Sequence, residues 1–228
     1  MWSVYALCDL TPEMFPKTSW FGPDLTLVLH DYGTTILFAM GTASVGEALD
    51  VVTWPVHLQV RDDALSEVAR HATVAESSAM WRMGWRDRDA GAADPRPLTR
   101  LGRANLGELR RLYADGDAAG DGPGFFMESA LDDGVFYGAY EDGALIAVAG
   151  THVVARSEGA ATIGNVYTRR DRRGRGWGRA ATDAVLRELA DVAVVGLNVR
   201  ADNTTAIRVY ESLGFVRHCL FQEALAIA

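Results

Sequence analysis

Apolar and polar positions in the second half of the chain alternate with the periods of helices and strands. The segment "NLGELRRLYAD" predicts an amphipathic helix, because its apolar residues recur at helical spacing: Leu106, Leu109, Leu112 and Tyr113. Two strand-like runs follow in "VFYGAYEDGALIAVAGTHVV", on either side of Glu141-Asp142-Gly143. Because Asp-Gly favours a tight turn, this stretch predicts a β-hairpin.

A strand, a helix and a second strand are predicted between residues 161 and 199. The strands are "ATIGNVYT" and "VAVVGLNV", and the second is nearly continuous in apolar residues, as expected for burial on both faces. The helix between them is "GRAATDAVLRELAD". Such a unit forms a right-handed parallel crossover. A further helix, "NTTAIRVYESLGF", is predicted to stop at Gly214, and "VRHCLFQEALAI" closes the chain as a strand.

The first half of the chain predicts a smaller α+β lobe. Strands in "DLTLVLH" and "TTILFAMG" flank a turn at Asp31-Tyr32-Gly33, and "VHLQV" and "AMWRMGW" are further strands. Short helices are predicted in "SVGEALDVV", where Ser44 and Glu47 have capping-box spacing, and in "DDALSEVARHA". The charged, proline-bearing segment 86–97 is interpreted as a linker. We therefore expect an N-terminal lobe over 1–90 and a second domain over 96–228.

Composition narrows the class of protein. The 228 residues are 49% hydrophobic and 23% charged, which is ordinary for a globular protein, and the net charge of -8 argues against a nucleic-acid binder. The N-terminus lacks a basic signal region, and no run approaches the roughly 20 apolar residues of a membrane span. We expect a cytoplasmic protein without membrane or nucleic-acid partners. The distant Cys8 and Cys219 form no metal motif, so no metal is expected. The oligomeric state is unknown from the sequence.

The arginine-glycine run "RRDRRGRGWGRAAT" lies between a predicted buried strand and the first turn of a helix. Helix starts have unsatisfied N–H groups and a positive dipole end, glycines let a ligand approach the backbone, and arginines suit phosphate geometry. The run therefore predicts a pyrophosphate site. The dinucleotide motif needs a third glycine where Arg179 stands, and the Walker motif needs a lysine followed by serine or threonine, so both fail on spacing.

Two motifs resemble those of the GNAT superfamily of acyl-CoA-dependent N-acyltransferases. "RGRGWG" matches the pattern Q/R-x-x-G-x-G/A at Arg173, Gly176 and Gly178. "NTTAIRVYESLGF" matches Asn-x-x-Ala-x-x-x-Tyr followed by Gly-Phe at Asn203, Ala206, Tyr210, Gly214 and Phe215. The resemblance covers roughly residues 96–228. Together with "IGNVYT", "GLNVRADN" and the extra N-terminal lobe, it is most similar to the glycine N-acyltransferase-like branch.

The resemblance implies a mixed α+β and α/β fold. Its central sheet would be mixed and mostly antiparallel, with a splayed parallel pair and flanking helices, beside the smaller N-terminal lobe. It also implies acetyl-CoA, or another acyl-CoA, as co-substrate, with the pantetheine amides paired to the backbone of Val166 and Thr168. Trp177 is expected to pack under the loop. The implied cofactor-binding residues are Val166, Tyr167, Thr168, Arg173, Gly174, Arg175, Gly176, Trp177, Gly178, Arg179, Asn203, Ala206 and Tyr210.

Direct attack of the acceptor within a ternary complex is the mechanism that the resemblance implies. Tyr210 is the candidate general acid, since a phenol with a pKa of about 10 is protonated at neutral pH. An N–H near Val166 would stabilise the oxyanion. Cys219 is an alternative nucleophile, but its predicted strand offers no obvious partner.

The general base is the open question. Some family members carry a glutamate on the strand before the phosphate loop, but the candidate positions here are Gly164 and Asn165. His152, with a near-neutral pKa, and Glu128, in a helix expected to cover the acceptor, are the alternatives. Asn165 is a candidate for orienting the acceptor or a water.

Acyl transfer to a primary amine of a small molecule or amino acid is the activity these residues favour. A protein N-terminus or lysine is an alternative acceptor. A non-catalytic acyl-CoA-binding module is an alternative of another class.

Overall fold

The computed structural model describes residues 10, 12, 15–22, 24–30, 33–90, 94–117, 122–123 and 126–228. The predicted turn residues Asp31 and Tyr32 lie outside this part of the chain, as does Cys8. The chain forms two compact units, the first from 1–83, 198–204 and 217–228 and the second from 84–197 and 205–216. The expected division into 1–90 and 96–228 remains a prediction about domains.

The first unit is an α+β arrangement. Its strands follow the order β1-β2-β3-β4-β11-β5, where β1 is Thr18–Phe21, β2 Thr26–Leu29, β3 Thr35–Ala39, β4 Val56–Val60, β5 Thr73–Trp85 and β11 Phe215–Ile227. The helices are α1, Val45–Leu49, and α2, Asp62–Val68. The predicted β2–β3 hairpin pairs antiparallel, and β3 and β4 pair parallel around α1.

The second unit contains the predicted crossover. Its strands follow the order β10-β9-β8-β7-β6, where β6 is Thr99–Leu101, β7 Phe136–Glu141, β8 Ala144–Ala155, β9 Ala160–Thr168 and β10 Val194–Arg200. Its helices are α3, Leu106–Asp117, α4, Ala130–Asp133, α5, Trp177–Glu188, and α6, Thr204–Glu211. No helix in the described part of the chain is long and apolar enough to cross a membrane.

Two local predictions in this unit are confirmed by backbone geometry. The β7–β8 hairpin turns at Asp142 and Gly143, with φ of 51° and 75°, the left-handed values that an Asp-Gly turn of this kind requires. Gly214, with φ of 89°, follows α6 and ends it. A side chain at Gly214 would also collide with the carbonyl oxygen of Asp87, 1.8 Å from its Cβ.

Apolar side chains cover both faces of the sheet in the second unit. Phe136 and Tyr140 of β7 pack with α3, while Ala139, which points to the opposite face, packs with Trp177 at the start of α5. The members on the α3 face include Leu101, Leu109, Leu112, Tyr113, Leu131, Phe136, Leu145, Val148 and Tyr167. The strands between α3 and α5 are therefore buried on both sides.

The same supersecondary pattern occurs once in each unit. An antiparallel pair, β2–β3 or β8–β9, leads into a parallel crossover, β3-α1-β4 or β9-α5-β10. In the first unit, the turn before α1 is met by an acid: the Ala43 N–H donates to Asp24 Oδ2 over 3.0 Å. Ser44 makes no side-chain cap bond, so the predicted capping box is wrong. In the second unit, the corresponding turn is the arginine-glycine run.

The strands β8 and β9 each contain one extra residue. Between the pairs Val148–Tyr167 and Gly150–Gly164, two residues of β9, Asn165 and Val166, lie opposite the single residue Ala149 of β8. Between the pairs Thr151–Ile163 and Val153–Thr162, His152 of β8 has no partner in β9. Asn165 has a positive φ of 54°. The parallel pairs between β9 and β10 run from Ala160–Val194 to Ile163–Leu197, and both strands continue beyond the last pair. The bulge in β9 thus follows directly after the paired part of the strand.

A buried arginine lies in the first unit. Arg82 has no solvent exposure; it donates to Asn198 Oδ1 over 3.2 Å and Gln59 Oε1 over 3.0 Å, and its guanidinium lies 4.5 Å from the Phe221 ring centroid. A buried charge needs such partners, because burial removes its hydration.

Candidate functional site

The start of α5 carries a set of open backbone donors. Within the part of the chain that the structure describes, no group accepts a hydrogen bond from the N–H of Gly176, Trp177, Gly178 or Arg179. The first backbone bond of the helix is from Ala180 N–H to the Gly176 carbonyl, at 3.0 Å. Four adjacent donors at the positive end of a helix dipole are suited to an anion. We call these four N–H groups, from Gly176 to Arg179, the anion cradle.

Glycines shape the cradle in two different ways. Gly174 and Gly176 have positive φ, 73° and 79°, which other residues adopt only with strain. Gly178 has ordinary dihedrals, but a Cβ there would lie 3.1 Å from Thr168 Oγ1 at the end of β9. The cradle and the end of β9 are thus in direct contact.

An aspartate and an arginine from the segment predicted as a linker brace the cradle. Arg96 donates to the Arg175 carbonyl over 2.7 Å and lies 4.9 Å from the Trp177 ring centroid. Asp94 accepts from Arg96 Nε over 2.8 Å, and its Oδ2 lies 3.8 Å from Arg179. The bond from Arg96 holds the pKa of Asp94 below its usual value. Trp177 packs as predicted, with Arg96 on its ring.

The arginines of the run divide into two groups. Arg169 and Arg172 are engaged by acids, since Arg169 donates to Asp171 over 2.7 Å and Arg172 donates to both Asp171 and Glu141. Arg173 stacks on Tyr167 and donates to the Thr168 carbonyl over 3.1 Å. Arg175 is exposed, and no described residue pairs with its guanidinium. Positive charge available to a ligand is therefore concentrated at the glycine end of the run.

An acid in α3 fixes the end of β9. Asp115 Oδ2 accepts from the Tyr167 hydroxyl over 2.8 Å and from the Arg170 N–H over 3.0 Å. Since β9 rises about 3.3 Å per residue, Thr168 lies roughly 10 Å along the strand from Asn165. The anion cradle and the β9 bulge thus lie at the two ends of one short segment that Asp115 ties to α3.

The bulge at Asn165 is tied to α3 and β8. The Tyr113 hydroxyl donates to the Asn165 carbonyl over 3.1 Å, and Asn165 Nδ2 donates to the Thr151 carbonyl over 3.2 Å. Asn165 is buried, and its Oδ1 has no partner among the described residues. Burial raises the pKa of Tyr113, so its hydroxyl stays protonated as the donor.

His152 occupies the space of a missing side chain on β9. A Cβ at Gly164 would lie 2.2 Å from His152 Nε2, so the imidazole stands where a side chain at 164 would project. The ring keeps an exposed edge, yet the surrounding protein lowers the pKa of His152, because partial desolvation disfavours the charged imidazolium. The imidazole of His152 is therefore neutral at pH 7.

A cavity of about 260 Å³ lies beside the bulge, lined by Arg110, Tyr113, Pro123 and Phe126. Its polar edge is the ion pair between Arg110 and Glu128, in which Arg110 Nε donates to Glu128 Oε1 over 2.9 Å. Glu128 lies in a turn before α4, not in a covering helix, and that expectation was wrong. The carboxylate of Glu128 is therefore already engaged by a guanidinium.

The second motif is divided between the two units. Asn203 is exposed and belongs to the first unit, immediately before α6. Ala206 is half-buried and Tyr210 buried within α6, and the Tyr210 ring lies 6.0 Å from that of Phe215. Burial raises the pKa of Tyr210 to about 12. No described residue forms a hydrogen bond with its hydroxyl.

Cys219 lies half-buried in β11, and burial raises the pKa of its thiol, so the reactive thiolate is disfavoured. Among the residues described, no group of three His, Cys, Asp or Glu side chains could hold a metal ion.

Sequence reasoning missed Arg96, Asp94, Asp115 and Tyr113. The first two stood in a segment whose composition is typical of linkers. Asp115 and Tyr113 were assigned only to a helix, although an acid and a tyrosine two residues apart on α3 are a weak signal of polar contacts to a neighbouring strand.

Residues 105–215 match the model of a family described as acetyltransferase (GNAT). Mycothiol acetyltransferase of Thermobispora bispora is 42% identical over 97 residues, which are 40% of this chain and 33% of that protein. The chain thus spans about a third of the length of this curated relative.

Two solved structures resemble almost the whole chain. An acetyltransferase of the GNAT family from Novosphingobium aromaticivorans is 22% identical with a TM-score of 0.69, covering 94% of this chain and 92% of its own. A GCN5-related N-acetyltransferase from Kribbella flavida is 15% identical with a TM-score of 0.67, covering 99% and 93%. At these identities the likeness shows the fold, a mixed sheet flanked by helices, and the predicted fold class is confirmed.

Proposed function

We propose that the chain is an acetyltransferase of the GNAT family, whose model residues 105–215 match, and that it moves an acetyl or other short acyl group from acyl-CoA to a primary amine. The acceptor we propose is a small molecule or amino acid, in a ternary complex without an acyl-enzyme. The proposal includes membership of the glycine N-acyltransferase-like branch of the superfamily. What supports it is a compact first unit that contains residues 1–83, which precede the segment matched by the family model.

The anion cradle is the observation that carries the proposal. Four open N–H groups from Gly176 to Arg179 suit the pyrophosphate of acetyl-CoA, and the exposed Arg175 adds a charge beside them. A side chain at Gly176 would meet Arg96 at 2.9 Å and narrow the cradle. The residues present therefore fit a CoA pyrophosphate. When bound, acetyl-CoA would supply the activated acyl group.

The β9 segment between cradle and bulge would hold the rest of the cofactor. The pairing of β9 with β10 ends at Ile163 and Leu197, so the strand edge beyond it is available for the pantetheine amides at Val166 and Thr168. Asp115 keeps this edge in place through Tyr167. The N–H near Val166 would face the acyl oxygen and stabilise it as negative charge develops.

Tyr210 fits the role of general acid. Burial raises its pKa to about 12, so the phenol carries its proton throughout the physiological range. Its hydroxyl has no hydrogen-bond partner in the described part of the chain, and it can therefore donate to the leaving sulfur without breaking an existing bond.

His152 is the base that the geometry favours over Glu128. Its imidazole occupies the position of the side chain that Gly164 lacks, and its lowered pKa keeps the ring able to accept a proton at pH 7. Glu128 is held by Arg110. Asn165, at the adjacent bulge, has a free buried oxygen that could orient the amine or a water.

Free-thiol release from acetyl-CoA, measured with a panel of amino acids, polyamines and peptides, tests the proposal. We expect amine-dependent release that falls at least tenfold in Tyr210→Phe, about 1.4 kcal/mol of barrier. Tyr140→Phe is the matched control, because its hydroxyl donates to Glu108 over 2.6 Å on the α3 face and should not affect the rate.

Three results would contradict parts of the proposal. Tight acetyl-CoA binding without release from any acceptor would favour a binding module. Release with peptides alone would favour a protein acceptor. Absence of acetyl-CoA binding would refute the assignment of the anion cradle.

A further inference from the structure

The cavity beside the β9 bulge has the chemistry of an amino-acid site. Two aromatic rings, Tyr113 and Phe126, stand 5.2 Å apart edge to face, and Pro123 completes an apolar wall. Its volume is about 260 Å³. That space suits one small ligand with an apolar group.

Arg110 gives this apolar cavity a cation with donors to spare. A guanidinium has five N–H groups, and the bonds to Glu128 use only Nε and NH2, both directed at Oε1. No described residue accepts from its NH1 group. The side chain is 64% exposed, so the free edge can take a carboxylate in the paired geometry that suits arginine.

The cavity is joined to the reaction region by one hydrogen bond. Tyr113 lines the cavity and donates to the Asn165 carbonyl, 3.1 Å away at the bulge. Arg110 engages only Oε1 of Glu128, so Oε2 of that carboxylate can accept from an amino group. A ligand with a carboxylate on Arg110 would therefore hold its amine near Glu128 and the bulge.

We propose that the acceptor is an apolar α-amino acid, with its carboxylate bound by Arg110 and its side chain in the cavity of Tyr113, Pro123 and Phe126. This inference rests on the proposed acyl transfer and specifies its acceptor. Arg110 is then a residue that determines specificity, and it takes no part in moving protons.

Matched acceptors that differ only in the carboxylate test the proposal. The kcat/KM for acetyl transfer to phenylalanine is compared with that for phenylalaninamide, in wild type, Arg110→Gln and Arg111→Gln. We expect the wild type to prefer the carboxylate at least tenfold. The preference should fall to about one in Arg110→Gln and persist in Arg111→Gln, which changes an exposed neighbour outside the cavity.

Binding of the products gives a readout that does not depend on turnover. N-acetylphenylalanine should bind at least tenfold more tightly than its amide by calorimetry, and only in proteins that keep Arg110. Transfer to both acceptors with no carboxylate preference would overturn the inference while leaving the acyl transfer intact. Selective product binding without any transfer would support the inference and count against the proposed function. If neither product binds and phenylalanine is not acetylated, the inference is wrong.

Discussion

The contacts of Arg96 with the anion cradle allow a quantitative prediction for the substitution Arg96→Gln. The substitution removes the bond to the Arg175 carbonyl and the contact with the Trp177 ring, at 2.7 Å and 4.9 Å. A charge-assisted bond contributes about 1.5 kcal/mol or more, and an exposed cation–π contact about 0.5–1 kcal/mol. Asp94, only 8% exposed, would also lose its main partner and would attract Arg179 away from the cradle.

We expect this loss of about 2 kcal/mol to fall mainly on the conformation of the cradle. If the open donors are then arranged for binding in a fraction of molecules, the apparent Kd for acetyl-CoA rises by the inverse of that fraction. One to two kcal/mol corresponds to roughly 5- to 30-fold. The measurement is calorimetric titration with acetyl-CoA at fixed ionic strength.

Arg88→Gln is the matched control. Arg88 comes from the same segment, lies 4.6 Å from the Trp85 ring, and donates to the carbonyls of Ala190, Val192 and Ala193 after α5. It should cost stability without changing the Kd. The reasoning is refuted if Arg96→Gln leaves the Kd within twofold of wild type while lowering Tm as Arg88→Gln does.

The remaining predictions concern the base and the core. The ratio of kcat/KM in wild type to that in His152→Gln cancels the titration of the acceptor amine. Because the pKa of His152 lies below its usual value of 6.5, this ratio should stay constant near neutrality and fall only at acid pH, with an inflection below 6.5; a ratio that does not change with pH would exclude His152. Gly150→Ala places a Cβ 2.2 Å from the buried Phe136 ring and should cost about 1–3 kcal/mol, about 2–12 °C in Tm. Gly107→Ala, with nothing nearer than Arg111 at 3.9 Å in α3, should instead raise Tm, and equal effects of the two would contradict the packing argument.

The elements that the sequence predicted well are those determined locally. The hairpin at Asp142-Gly143 and the stop at Gly214 follow from backbone conformations that few residues adopt. The anion cradle likewise needs only a buried strand, glycines and a helix start in succession. These predictions depend on neighbours within a few residues, so the order of residues carries most of the information.

The features that escaped prediction depend on contacts distant in the chain. Arg96 reaches the Arg175 carbonyl across 79 residues, and nothing in a charged, proline-bearing segment indicates which partner it meets. Ser44 has capping-box spacing, yet the carboxylate of Asp24 takes the neighbouring N–H. His152 lies at a bulge of β8, and its ring occupies the space beside Gly164. A bulge changes the face of the sheet on which a side chain lies, and the alternation of apolar and polar residues in the sequence does not show where the bulge is.

The extra residues in β8 and β9 have a consequence for how these strands can change in evolution. Each strand contains one extra residue, and the two extra residues compensate for each other. The pairs Val148–Tyr167 and Val153–Thr162 therefore follow the same register. A bulge residue has no partner of its own, so deleting His152 alone would leave Thr151 and Val153 adjacent, still opposite Ile163 and Thr162, with every other pair in place. The same holds for the loss of one residue from the bulge of β9. Each extra position can therefore be lost by itself, and a lineage that abandons the histidine by deletion need not change the neighbouring strand.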